Sequence, residues 1–127
     1  MLRAVRVGVL AALRTPAWLS AARIRELQSA APGEGAVPAE QSDRALRTST
    51  ALLRRLGRLP LSPWRNTCLY RSIAASLALR SLGVPATLHL GVREGRAGIA
   101  AHAWVESPGV TSSALPHQGD EEFVALR

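Results

Sequence analysis

The chain has 127 residues, 47% of them hydrophobic, which is the length of one domain with a modest core. Its net charge of +7 is carried by arginine alone, and all of this excess falls in residues 1–67. A single cysteine excludes an internal disulfide. The sequence also lacks a zinc-type Cys/His cluster and a phosphate-binding glycine loop, so we expect no metal or nucleotide cofactor.

The first half of the chain, residues 1–67, is strongly basic. The sixteen basic residues include no lysine, which is typical of a compositional bias in the coding sequence. Nucleic-acid binding would require basic residues interleaved with aromatics or a known motif, and neither is present. We therefore expect no nucleic-acid partner. Docking of an acidic peptide or partner protein is the favoured use of the charge.

The first 28 residues are arginine-rich and apolar, as in a transit peptide or a short signal segment. The apolar run Val7–Leu13 is far shorter than the roughly 20 residues that span a bilayer. We therefore predict helices packed on the domain, over Arg3–Leu13 and Ala17–Ala30, with Thr15-Pro16 between them. No membrane span is expected, and the localisation is predicted to be cytoplasmic.

A loop over residues 31–38 leads into a further helix. Ser42 or Asp43 is the predicted N-cap, and apolar residues recur at helical spacing as far as Leu56. Gly57 is expected to end the helix.

The next helix, Cys68–Leu82, is apolar on nearly every side and is predicted to be the buried one. After Gly83, Val84–Val92 and Ile99–Glu106 are predicted to form a hairpin. Short strands are expected over Val110–Ala114 and Phe123–Leu126. The fold class is therefore α+β: N-terminal helices, then a buried cysteine-bearing helix packed on a small antiparallel sheet.

The only cysteine, Cys68, lies in the first turn of the buried helix, and His102 follows on a predicted strand. The thiolate is the nucleophilic form of cysteine, and helix N-termini and nearby imidazoles favour it. If the strand crosses that N-terminus, His102 can take the thiol proton and return it to a leaving amine. The alternative is that Cys68 is a small buried hydrophobe, as free cysteines usually are.

Three stretches carry a more specific resemblance: Cys68–Ala74, Leu82–Ala86 and Ala101–Glu106 (AHAWVE). Together they resemble the transglutaminase-like cysteine proteases of lasso-peptide biosynthesis, stand-alone B-type enzymes that cut the leader from a ribosomal precursor. The resemblance implies a papain-like core over residues 42–127, on which residues 1–41 pack as a helical segment of the same domain. It also implies that Cys68 is the nucleophile and His102 the general base.

The third catalytic residue is where the sequence departs from that family. Related proteins often carry an aspartate about a dozen residues after the histidine, but Val110–Ala114 holds no carboxylate. Asp120 is the nearest substitute and is the predicted third member. A solvated acidic turn is the alternative for Asp120, and Ser113 or a backbone carbonyl is an alternative orienting group for His102.

Other residues have a structural and a functional interpretation each. Glu106 shares the strand parity of His102 and Trp104; it is interpreted as a strand-end charge, and Trp104 as either core or cleft wall. His89 is predicted to be packed or exposed without a catalytic role. For the arginines of the cysteine helix, Arg71 and Arg80, surface charge is the default, although they could meet an acidic peptide. The remaining predictions are a structural turn at Trp64–Asn66, from which an amide could donate to an oxyanion, and a solvated loop at His117.

The functional hypothesis is a cysteine peptidase that removes a leader peptide, and it leaves two alternatives open. One is transglutaminase-like acyl transfer to an amine, and the other is a non-catalytic adaptor that binds peptides. By resemblance, the implied partners are the precursor peptide, a separate leader-recognition protein and a macrolactam-forming synthetase.

Overall fold

The computed structural model describes residues 2–29, 38–60, 62–63, 67–95, 98–110, 112–116 and 124–126. Over these residues the chain forms four α-helices, one 3₁₀ helix and a three-stranded antiparallel sheet. The predicted α+β class is therefore confirmed.

Two N-terminal helices flank a short 3₁₀ segment. Helix α1 spans Leu2–Arg14, the 3₁₀ helix spans Thr15–Trp18, and α2 spans Ala21–Gln28. The second helix was predicted to start at Ala17, but it starts four residues later. Pro16 supports the 3₁₀ turn instead, and Ser20 then caps α2 by accepting a hydrogen bond from the Arg23 amide at 3.3 Å.

Helix α3 spans Ala39–Leu56, which is longer than predicted. The predicted caps were wrong, because the N-cap is Pro38 and both Ser42 and Asp43 lie inside the helix. Ser42 is buried, and Asp43 instead pairs with Arg47 one turn later, at 2.9 Å. Gly57 is the C-cap, as predicted.

Helix α4 spans Cys68–Ser81, and every residue from Ser72 to Leu79 is buried. This confirms that the most uniformly apolar helix is the central one. Gly83 follows in the left-handed region, with φ of 80°, where glycine carries no Cβ penalty.

The sheet has the order β2-β1-β3, with β1 over Thr87–Gly95, β2 over Gly98–Glu106 and β3 over Val124–Leu126. The hairpin prediction is confirmed, and its register pairs Gly91 with His102 and His89 with Trp104. The strand predicted over 110–114 was wrong for the residues described there, which form turns and irregular backbone. Two residues later, the chain instead reaches the edge of β2, where Val105 N–H donates to the carbonyl of Pro116 at 3.0 Å.

The core lies between the helices and one face of the sheet. Side chains from α1, α2, α3 and α4 meet Leu88, Ala103 and Val105 in one apolar cluster. Helices α1 and α3 approach closely at Gly8, where a Cβ atom would lie 2.5 Å from the carbonyl oxygen of Ala45. The N-terminal helices therefore share the core of the helix that carries Cys68.

Across the described residues, no helix combines the length and the apolar character needed to cross a bilayer.

Candidate active site

A cavity of about 520 Å³ opens where three helical and strand elements converge. One wall is α3, the start of α4 forms a second, and the outer strand β2 with the segment 113–116 closes the rest. The described residues that line it are Arg47, Thr50, Ala51, Arg54, Cys68, Arg71, His102, Ala103, Ser113, Ala114, Leu115 and Pro116. The two residues singled out from the sequence, Cys68 and His102, thus line one cavity.

Cys68 is the first residue of α4, with Thr67 as the N-cap. The Thr67 hydroxyl accepts a hydrogen bond from the Tyr70 amide at 3.4 Å, which defines where the helix starts. The thiol is partly exposed and is not engaged in a disulfide. Because the first amides of a helix lack intrahelical acceptors and carry its positive dipole end, the sulfur lies where a thiolate and an oxyanion are both stabilised.

His102 lies on β2, the outer strand of the described sheet. Its neighbours Ala103 and Val105 are buried in the apolar cluster, so strand alternation puts His102 and Trp104 on the opposite face. Consecutive residues His102 and Ala103 both line the cavity, although they point to opposite faces. The cavity therefore runs along the outer edge of β2, where groups from both faces can reach it.

Three rings stack along the face of the sheet that carries His102. The imidazole of His102 stacks with Trp104 at a centroid distance of 5.9 Å, and the ring of His89, on the neighbouring strand, stacks with Trp104 at 5.5 Å. Glu106 continues the row, with its Oε2 3.2 Å from Nε2 of His89. Trp104 is only 3% exposed. Of the two alternatives for Trp104, the structure supports core: it is buried and is not among the described residues that line the cavity, although its ring stacks on that of His102.

Helix α3 contributes a basic face to the cavity. Arg47, Ala51 and Arg54 are spaced four and three residues apart, which places them on one side of the helix. The buried face of α3 is formed by a different set that includes Leu46, Ser49 and Leu53.

Hydrogen bonds tie segment 112–116 to α3. The Ser112 hydroxyl donates to Asp43 Oδ1 at 2.6 Å, and Arg47 Nη2 donates to the Ser113 hydroxyl at 2.9 Å. The hydrogen bond from Ser112, followed by that from Arg47, lowers the pKa of the Asp43 carboxyl below its usual value. The segment that closes the cavity is thus held by a carboxylate from a helix about seventy residues earlier in the chain.

Asp120, the predicted third catalytic residue, lies outside the described residues, as do Trp64–Asn66 and His117. Ser113, the alternative orienting group, lines the cavity, and its hydroxyl oxygen accepts a hydrogen bond from Arg47. The identity of the group that orients His102 stays a prediction.

The two arginines of α4 have different environments. Arg71 lines the cavity one turn after Cys68. Arg80 is instead a structural residue, because its Nη2 donates to the carbonyls of Leu27, Ser29 and Ala86 at 3.0, 2.7 and 3.2 Å. Burial lowers the pKa of its guanidinium, and nearby Glu26 opposes this effect. Surface charge, the default assumed for both arginines, was therefore wrong for Arg80.

The sequence analysis did not predict that Arg47 and Arg54 line the cavity. It also did not predict that Asp43 and Ser112 bond to each other and hold the segment that closes it. The spacing of Arg47, Ala51 and Arg54 was a usable signal, because it marks a basic stripe along one helix face. The pairing of Asp43 with Ser112 had no such signal, since it joins residues 69 positions apart.

No group of three or more His, Cys, Asp and Glu side chains is placed to hold a metal ion within the described part of the chain. The described residues around the cavity supply a thiol, an imidazole and three guanidinium groups.

Comparison with known proteins places this geometry in context. The profile of the transglutaminase-like superfamily matches residues 6–123. No curated protein and no solved structure gives a significant match. The matched region includes all four described α-helices in whole or in part, as well as Cys68 and His102.

Proposed function

The chain belongs to the transglutaminase-like superfamily, and from that premise we propose that it is a cysteine peptidase that removes the leader from a ribosomally made lasso-peptide precursor. The superfamily includes cysteine peptidases and acyl transferases. Within it, the AHAWVE strand and the stretch after Cys68 favour the leader peptidases.

One observation carries the proposal: Cys68, at the first position of α4, and His102, on β2, line the same cavity. Cys68 packs against the apolar core on one side, but the residue is only half-buried and lines the cavity, so a substrate can reach it.

In the proposed reaction, His102 takes the proton of Cys68 and the thiolate attacks the scissile carbonyl. The amide of Cys68 at the helix start is a donor for the tetrahedral oxyanion. The C–N bond then breaks, and the imidazolium protonates the departing amine. Water, deprotonated by His102, then attacks the thioester carbonyl. The C–S bond breaks, the imidazolium returns its proton to the sulfur, and the leader leaves with a new carboxylate. Asp120 is proposed to hold the second imidazole nitrogen.

The proposed partners follow from the resemblance. A separate protein would bind the leader and present the precursor, and a macrolactam-forming synthetase would take the released core peptide. The reaction is proposed to take place in the cytoplasm, where ribosomal precursors are made.

The test is cleavage of the cognate precursor, with its leader-binding protein supplied and the products identified by mass spectrometry. Cys68→Ala is expected to lower the single-turnover rate by about a thousandfold or more, because it removes the nucleophile. The matched control is Ser81→Ala, an exposed residue at the far end of the same helix, which should leave the rate unchanged. Undiminished cleavage by a folded Cys68→Ala protein would rule the proposal out.

The products of this assay also distinguish hydrolysis from the two alternatives, acyl transfer and peptide binding without catalysis. Acyl transfer would give a leader whose new C-terminus carries an added amine, whereas hydrolysis in H₂¹⁸O adds one heavy oxygen. A peptide-binding adaptor would bind the precursor and release neither product.

A further inference from the structure

The cavity beside Cys68 is lined by three arginines from two helices. Arg47 and Arg54 come from α3, and Arg71 comes from α4. No acidic residue is among the described residues that line it. Guanidinium groups are fixed in charge and match carboxylates with two parallel hydrogen bonds.

The three arginines differ in whether a nearby carboxylate neutralises their charge. Arg47 pairs with Asp43 at 2.9 Å and also donates to Ser113. Within the described part of the chain, neither Arg54 nor Arg71 forms an ion pair. Two positive charges therefore face the cavity without a carboxylate nearby in that part of the protein.

The position of Arg71 is unfavourable for the helix itself. A cation in the first turn of a helix opposes the macrodipole, since acidic residues are preferred there. No acidic residue occurs in the first turn of α4. Departures from local preference of this kind are expected where a residue serves binding instead of stability.

We propose that this cavity selects a peptide bearing a carboxylate side chain, Asp or Glu, close to the bond that is cleaved. The proposal rests on the peptidase function and specifies its substrate class. Arg54 and Arg71 are the specificity-determining residues, and Arg47 mainly fixes the wall formed by Ser113. A cavity of about 520 Å³ lies in the size range that accommodates a small ligand or a few side chains.

Charge selectivity in the cavity can be measured without any peptidase activity. Iodoacetate and iodoacetamide alkylate the same thiol with the same chemistry, but only iodoacetate is an anion. The ratio of their second-order rates at Cys68 cancels the fraction of thiolate. Division by the same ratio for 2-mercaptoethanol, a thiol without other charged groups, removes the intrinsic difference in reactivity between the two reagents. A positive cavity concentrates anions, so we expect a normalised ratio of about three to ten in low salt.

The double variant Arg54→Gln/Arg71→Gln is expected to bring the normalised ratio close to one. The matched control is Arg55→Gln, an exposed arginine next to Arg54 that does not line the cavity, which should stay close to wild type. A wild-type ratio near one, or a high ratio that survives the double variant, would overturn the assignment. This readout is independent of cleavage, so it separates failure of this proposal from failure of the peptidase function.

Substrate class is tested by protection of Cys68 from iodoacetamide. Two synthetic peptides, acetyl-Ala-Glu-Ala-Gly-amide and its Gln counterpart, differ in a single charge. The Glu peptide should slow alkylation at a concentration at least about threefold lower than the Gln peptide does, and the double variant should abolish the difference. Equal behaviour of the two peptides would contradict an acidic-peptide substrate and leave the cavity selective for small anions only.

Discussion

The two ends of α4 use an arginine in opposite ways. At the C-terminal end, Arg80 is partly buried and donates to three backbone carbonyls, which joins the end of α2 to the start of the sheet. At the N-terminal end, Arg71 is exposed and lines the open cavity beside Cys68. Its Nε makes a single long hydrogen bond to a carbonyl, that of Thr67 at 3.4 Å. One arginine lies where the helix dipole favours a cation, and the other lies where the dipole opposes it.

One end of α4 is therefore expected to contribute mainly to stability, and the other mainly to the cavity. The residues between the two ends, Ser72–Leu79, are all buried and fix the position of both. At the C-terminal end, Arg80 joins neighbouring elements through its hydrogen bonds. The N-terminal end contributes the Cys68 thiol and the Arg71 charge to the cavity that His102 of β2 also lines. Substitutions at the two ends are therefore expected to have separable effects.

The largest effect on stability is expected for Arg80→Met. The change removes the donor to three carbonyls, so the free energy of unfolding should fall by about 2–3 kcal/mol. Urea denaturation followed by circular dichroism measures this change. Alkylation of Cys68 in the protein that remains folded should proceed at the wild-type rate. If Arg80→Met were as stable as wild type, the hydrogen bonds of Arg80 would not stabilise the fold, and the two ends of α4 would not differ in the way described.

A smaller effect is expected for Asp43→Asn, which weakens the attachment of segment 112–116 to α3. The hydrogen bonds from Ser112 and Arg47 lower the pKa of Asp43 from its usual value, so its contribution to stability is fully present above that usual value. The contribution is lost as the pH falls through the lowered, folded-state pKa. The melting temperature of the variant should therefore lie below that of wild type at pH 6, and the gap should narrow as the pH falls through that lowered pKa.

The control for that experiment is Glu40→Gln, which removes an exposed acid from the first turn of α3 without touching the cavity. If the gap between wild type and Asp43→Asn stayed constant down to the acid transition, Asp43 would not hold the segment in the way the hydrogen bonds indicate.

The smallest effect on stability is expected for Arg71→Gln. Removal of a cation from the first turn of a helix should change the free energy of unfolding by less than about 0.5 kcal/mol, in either direction. The same variant should lower the preference of Cys68 for iodoacetate. A destabilisation as large as that of Arg80→Met would mean that both ends of α4 are structural.

The sequence predicted secondary structure best where the spacing of apolar residues was regular. The uniformly apolar run after Cys68 predicted the buried helix with the correct start, and alternation predicted the hairpin that carries His102. Both features depend on local periodicity, which a single sequence contains.

Predictions failed where tertiary contacts override a local preference. Ser42 and Asp43 are good N-cap residues, yet α3 begins before them because Ser42 is buried and Asp43 bonds Ser112. Likewise, residues 112–114 do not form a strand, because their hydrogen bonds go to α3 and to local turns. Chemistry predicted that Cys68 and His102 would lie in one cleft, and both line the same cavity. The sequence did not predict that Arg47, Arg54 and Arg71 line it too, because this depends on how α3 packs beside α4.

The most direct experiment tests whether His102 takes the proton of the Cys68 thiol, as proposed. The rate of alkylation of Cys68 by iodoacetamide at pH 7 is compared between wild type and His102→Gln, with His89→Gln as the control on the neighbouring strand. Loss of His102 is expected to slow alkylation by about tenfold or more, because the imidazole no longer accepts the thiol proton, while loss of His89 should have little effect. Equal rates in wild type and folded His102→Gln protein would contradict this role of His102.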